Sequence, residues 1–95
     1  MKPVIIRDGK INGRPILKAW ESFTGWYWFA VEKVEERLSD LGGGKPVPDV
    51  IWFGFVIGLE PEWGYFSQAE IESLRPKTWE IKPQDLPYVS KEVMA

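Results

Sequence analysis

Two runs decide the fold: Trp26-Tyr27-Trp28-Phe29-Ala30-Val31 and Val50-Ile51-Trp52-Phe53-Gly54-Phe55-Val56-Ile57. Both are apolar at odd and even positions alike, the pattern of strands covered on two faces, so they read as neighbours at the centre of one sheet. In the second run, one face carries Ile51, Phe53, Phe55 and Ile57. The other carries Val50, Trp52, Gly54, Val56 and Gly58. Glycines on a strand face leave room for a ring from the next strand, and Trp26 or Trp28 suits that gap.

Working outward, Val4-Ile5-Ile6 reads as a short strand, followed by turn chemistry in Asp8-Gly9-Lys10 and Asn12-Gly13. A second strand is expected over 15–21, with neither face cleanly polar, before the Thr24-Gly25 turn. Between the two central runs, Val31, Val34, Leu38 and Leu41 recur at spacings of three and four and end at Gly42-Gly43-Gly44. This predicts a helix over 32–41, a hairpin excursion being the alternative, so 33–49 is an insertion in the form of a loop or short helix. Lys45-Pro46-Val47-Pro48 reads as a stiff linker.

Beyond the second run, Trp63-Gly64-Tyr65-Phe66 reads as a strand, and Ser67-Gln68-Ala69-Glu70 matches a capping box with Phe66 and Ile71 at the staple positions. A helix over 68–75 follows, stopped by Arg75-Pro76. Pro76, Pro83 and Pro87 limit Trp79-Glu80-Ile81 to an edge strand, and 89–95 is expected to fray. The predicted fold is α+β: a single domain, 1–95, with a curved antiparallel sheet of about five strands and the short capped helix packed on one face.

The chain has 95 residues, 44% of them apolar, with 14 acidic and 12 basic side chains. That is room for one core, and six Trp, five Phe and three Tyr dominate it. The absence of Cys and His excludes disulfides, thiolate or imidazole metal sites, Cys or His nucleophiles, and the usual general base at neutral pH. No metal or cofactor is expected. The first apolar run has three residues, too few for a signal peptide, and no segment approaches ~18 uncharged apolar residues, so a cytoplasmic location without membrane contact is expected. One Asn and two Gln beside eight Lys and ten Glu lean towards the thermophile pattern.

Three segments taken together, residues 24–32, 53–60 and 62–71, resemble a family of small domains of unknown function common on bacterial plasmids and mobile elements. The shared pattern is a tryptophan-rich strand, an apolar strand containing glycine, and a Gly-Tyr-Phe-Ser-x-x-Glu helix start. Lys18 also matches a lysine of that family. The segment 33–49 is longer than the family's connection, and Trp63 and Gln68 stand where leucines are usual. The resemblance implies a shared fold and transfers no catalytic residue.

Three functions are compatible with these residues. The first is a non-enzymatic interaction module, binding a protein partner or a second copy through Trp20, Trp26, Trp28, Trp52 and Trp63 with Lys18, because six indoles cannot all be buried in so small a core. The second is a single-stranded nucleic-acid binder, drawing on Lys2, Arg7, Lys10, Arg14 and Lys18 against Asp8 alone in the first 18 residues, with exposed rings to stack on bases. The third is a carboxylate-based hydrolase at Glu60 and Glu62, which flank Pro61 and would act only if a pocket separated their environments. Ser67 has no His to activate it, and Gly42-Gly43-Gly44-Lys45 lacks the spacing of a phosphate loop.

Overall fold

The two apolar runs do lie side by side. In the computed structural model, which describes residues 2–95, they form β5 (Tyr27–Ser39) and β6 (Val47–Ile57), antiparallel with Phe29 opposite Phe55 and Ala30 opposite Gly54. The other strands are β1 (Pro3–Arg7), β2 (Lys10–Ile11), β3 (Arg14–Pro15), β4 (Lys18–Ser22), β7 (Pro61–Ser67), β8 (Thr78–Glu80) and β9 (Lys91–Met94). The one α-helix among the described residues, α1 (Gln68–Glu72), follows β7 directly.

These strands make two antiparallel sheets, one in the order β7-β6-β5-β4-β8 and one in the order β3-β2-β1-β9. The fold is therefore mostly β with one short helix, rather than α+β around a single sheet. The sheets meet through a core in which Phe29, Val31 and Phe55 of the larger pack with Val4, Ile6 and Ile11 of the smaller, and Leu86 closes one side. On the opposite face of the larger sheet, Trp20, Ala30 and Trp52 lie with Ile71 of α1. The chain changes sheets in one step: the Ile16 N–H donates to Gly9 O and the Leu17 N–H to Ala30 O. That handover splits the single strand expected over 15–21.

The segment 32–41 is strand, not helix. The register of β5 on β6 slips between Ala30 and Glu32 and again between Lys33 and Glu35, so Val31 and Val34 are the extra residues of two bulges. Each bulge adds one residue to a period-two pattern, and two close together imitate a helical spacing of three. A helix there would also have nothing to bury, since Val34, Leu38 and Leu41 are exposed. Residues 33–49 form a long hairpin arm, and Val47 and Pro48, expected as linker, are paired with Ser39 and Leu38.

The tail is ordered as well. β9 pairs with β1 from Pro3–Met94 to Ile6–Lys91, and Lys2 and Ala95 exchange backbone hydrogen bonds at 2.8 and 3.0 Å. Val93 packs against the main core, which is what holds the segment expected to fray.

The helix is shorter than 68–75. Ser67 caps it as expected, its Oγ accepting from the Glu70 N–H at 3.1 Å, and Ile71 is buried beside Phe66. The Leu74 and Arg75 N–H groups turn back only three residues, to Ile71 and Glu72, so helical bonding ends there.

Candidate functional site

The β4–β5 turn carries an exposed aromatic ring, Phe23, on a hydrogen-bonded backbone. Its hydrogen bonds are dense: Ser22 N to Trp26 O, Gly25 N to Ser22 O, Trp26 N to Ser22 Oγ, and a Ser22–Thr24 hydroxyl pair at 2.8 Å. Gly25 supplies the φ of 87° that the turn requires. Phe23 N donates across to Lys77 O, so the backbone is fixed while the Phe23 ring stays 68% exposed. Phe23, Trp26, Trp28 and Leu74 border an open apolar groove of ≈ 270 Å³ with Lys77 on its rim. Trp26 and Trp28 lie 5.8 Å apart there, and Trp26 fills the space over Gly58, where a Cβ would come within 2.5 Å of its ring.

The other candidate tryptophans separate by burial. Trp20 is fully buried, with its indole N–H 3.4 Å from Glu72 Oε2, and Trp52 is buried with its N–H on Gln68 Oε1 at 2.9 Å. Both indole partners come from α1, so these two rings are the floor on which the helix sits. Trp63 belongs to a separate ridge on β6 and β7, stacked on Phe53 at 6.0 Å and tilted against Phe55 at 5.1 Å, with Tyr65 edge-on to Phe53. Lys18 lies half-buried over the Trp20 ring at 5.8 Å and pairs with Glu80 at 3.4 Å. Trp26 and Trp28 share the groove; Trp20, Trp52, Trp63 and Lys18 lie outside it.

Glu60 and Glu62 are both exposed, at the β6–β7 hairpin, and border an open depression shared with Trp26, Val56 and Gly58. Both carboxylates thus stand open to solvent rather than inside a closed pocket. The N-terminal cations are divided. Arg7 and Lys10 face each other across β1 and β2, whereas Arg14 pairs with Glu32 at 3.3 Å and Lys18 with Glu80. Two of the five therefore have an acidic partner within the chain.

Two titratable groups outside the sequence expectations are tightly built. Asp49 is 5% exposed. Burial alone would raise its pKa, but donors from Ser67, Ala69, Ser39 and Val50, at 2.6 to 2.8 Å, outweigh this and hold it below the usual carboxylate value. This carboxylate ties the hairpin arm to the start of α1. Its signal in the sequence was a single acid entering an otherwise apolar run, Val47-Pro48-Asp49-Val50-Ile51. The Tyr27 hydroxyl donates to Glu21 Oε2 at 2.8 Å, and its pKa is pushed up to about 12 by burial first and then by that bond and the nearby negative charge. Lys91 of β9 sits 4.3 Å over the same ring.

Among the described residues, no group of three or more Asp, Glu, Cys or His could hold a metal ion, and no helix is long and apolar enough to cross a membrane. Comparisons with protein-family models, with curated proteins and with solved structures return no match for this chain.

Proposed function

We propose that this chain is a non-enzymatic interaction module serving a mobile genetic element, and that it grips a protein partner in the groove at the β4–β5 turn. The observation that carries the reading is Phe23, a large ring 68% exposed on a backbone pinned by its own turn and by Lys77 O. Ordering such a ring on binding costs little conformational entropy, the property of residues that dominate contact energies. Lys77 makes no ion pair among the described residues, so the fitting partner segment presents an apolar side chain with an acidic neighbour.

The test compares capture from the native host by the immobilised wild type and by Phe23→Ser, with and without nuclease. Truncating an anchor of this kind removes about 2 kcal/mol, roughly a 30-fold loss of affinity. A nuclease-resistant partner held by the wild type and lost from Phe23→Ser supports the proposal. Equal capture by both proteins, or capture that nuclease abolishes, rejects it and, in the second case, favours nucleic-acid binding through the N-terminal cations.

A further inference from the structure

We infer that β7 is a self-association edge, on which a second copy of this chain adds its own β7 in antiparallel register about a twofold axis at Gly64.

The starting point is the inequality of the sheet edges. β7 ends the larger sheet with seven residues unpaired on their outer side, whereas β8 has three residues, β3 two and β9 four. The part of β5 beyond Ala30 that β4 leaves open is interrupted by two bulges and carries Glu32, Lys33, Glu35, Glu36 and Arg37. Edges are normally blunted by shortness, charge or proline. Along β7 the only charge is Glu62, and the only proline, Pro61, stands at its first position, where it leaves the rest of the edge open.

Gly64 is the second observation. Glycine inside a strand weakens it and often marks a bulge, a tight bend or the close approach of another backbone. A Cβ on Gly54 would collide with the Phe29 carbonyl oxygen, and one on Gly58 with the Trp26 ring, so both glycines are explained within the chain. Around Gly64 nothing lies within 4 Å of a Cβ position. Gly64 therefore has no packing role inside the chain, and it leaves the edge bare at mid-strand, where a second backbone can pair without steric cost.

Self-complementarity is the third. With Gly64 opposite its own copy, Trp63 falls opposite the partner's Tyr65, and Glu62 opposite the partner's Phe66. No like charges face each other. Opposed residues of an antiparallel pair share a face, so the arrangement assembles four rings in cross-strand pairs. In the single chain Trp63 is 39% and Tyr65 70% exposed. The surface they offer is roughly 250 Å² per chain. Added to a seven-residue edge, that stays at the small end of specific interfaces, so the dimer is weak and forms in the range of about 10–500 µM.

The absence of cysteine makes the geometry directly testable. Gly64→Cys places one thiol per chain at the axis, where paired Cα atoms stand about 4.5 or 5.5 Å apart, within disulfide reach. Gly64 lies outside the positive-φ region and its Cβ position is open, so the substitution is compatible with the fold. Tyr88→Cys, on the exposed turn near the C-terminus, is the control. Under mild oxidation Gly64→Cys should give covalent dimer at least 10-fold faster than Tyr88→Cys. Sedimentation equilibrium of the unmodified chain should show a concentration-dependent dimer that Tyr65→Lys weakens at least 10-fold and Phe23→Ser leaves unchanged. Equal crosslinking of the two cysteine variants, a monomer up to about 1 mM, or a dimer sensitive to Phe23→Ser instead of Tyr65→Lys would each overturn the inference. The last outcome would relocate the contact to the β4–β5 groove, and a heterologous strand bound at β7 without any dimer would replace the second copy as occupant.

Discussion

Replacing Asp49 by Asn tests how the hairpin arm and α1 are joined. The carboxylate accepts four hydrogen bonds, from the Ala69 and Val50 N–H groups on Oδ1 and from the Ser67 and Ser39 hydroxyls on Oδ2. Asparagine keeps the shape and one oxygen, which can still serve the two N–H donors. Its NH2 group faces two hydroxyls that already accept, Ser67 from Glu70 N and Ser39 from Arg37 Nε. Two hydroxyl donors lose their acceptor and the charge is gone. At about 1–1.5 kcal/mol for each such loss, the expected destabilisation is about 2–3 kcal/mol at pH 7. For a chain of 95 residues this lowers Tm by roughly 8–20 °C. Because the folded-state pKa of Asp49 lies below its unfolded value, its contribution is complete above the ordinary carboxylate pKa and is lost as pH falls through the depressed one. Urea unfolding of both proteins at steps between pH 7 and pH 2 should therefore show a gap that closes at the acid end. A gap under about 0.5 kcal/mol at pH 7, or one unchanged down to pH 2, refutes the reasoning.

The glycine contrast makes a second prediction: Gly54→Ala should cost more than about 3 kcal/mol, because the obstacle is the Phe29 backbone, while Gly64→Ala should fall within about 0.5 kcal/mol of wild type by denaturant titration. Tyr27→Phe removes the bond to Glu21 and should lose about 1 kcal/mol at neutral pH. Its folded-state pKa is raised to about 12, so the Tyr27 contribution is present below the unfolded value near 10 and disappears as pH rises towards 12, a loss absent from the Phe variant. Deleting residues 91–95 removes the β9 ladder and the Val93 contact with the main core, and should lower stability by about 2–4 kcal/mol in the same assay, whereas a fraying tail would be silent.

Local signals were the legible ones. Asp8-Gly9 and Asn12-Gly13 both adopt positive φ, the requirement of tight hairpin turns, and that preference is carried by the residues themselves. Ser67 announced the start of α1 through its own hydroxyl, and the two-faced apolar runs announced the centre of the sheet. The 32–41 stripe misled because a bulge is a relation between two strands: Val31 and Val34 are surplus only when counted against β6. The candidate groove was half legible. Trp26 and Trp28 were named, but Phe23 and Leu74 are 51 residues apart in sequence, and only the return of β8 to the edge of β4 brings them to one groove.

What the sequence alone determined is the material: two central strands, a capped helix start, and the absence of thiol and imidazole side chains. These follow from composition, period and side-chain reach over a few residues. The expected dominance of rings in the core gave way to a buried set in which only Trp20, Phe29, Trp52 and Phe55 are aromatic. Tertiary structure decided which indoles are floor and which are surface, the anchoring of the tail on β1, and the role of Asp49. Each depends on groups distant along the chain that meet only when the strands pair, and a strand's own residues do not specify its partner. Gly64 belongs to the same class: its freedom from neighbours is visible only once every other strand is in place.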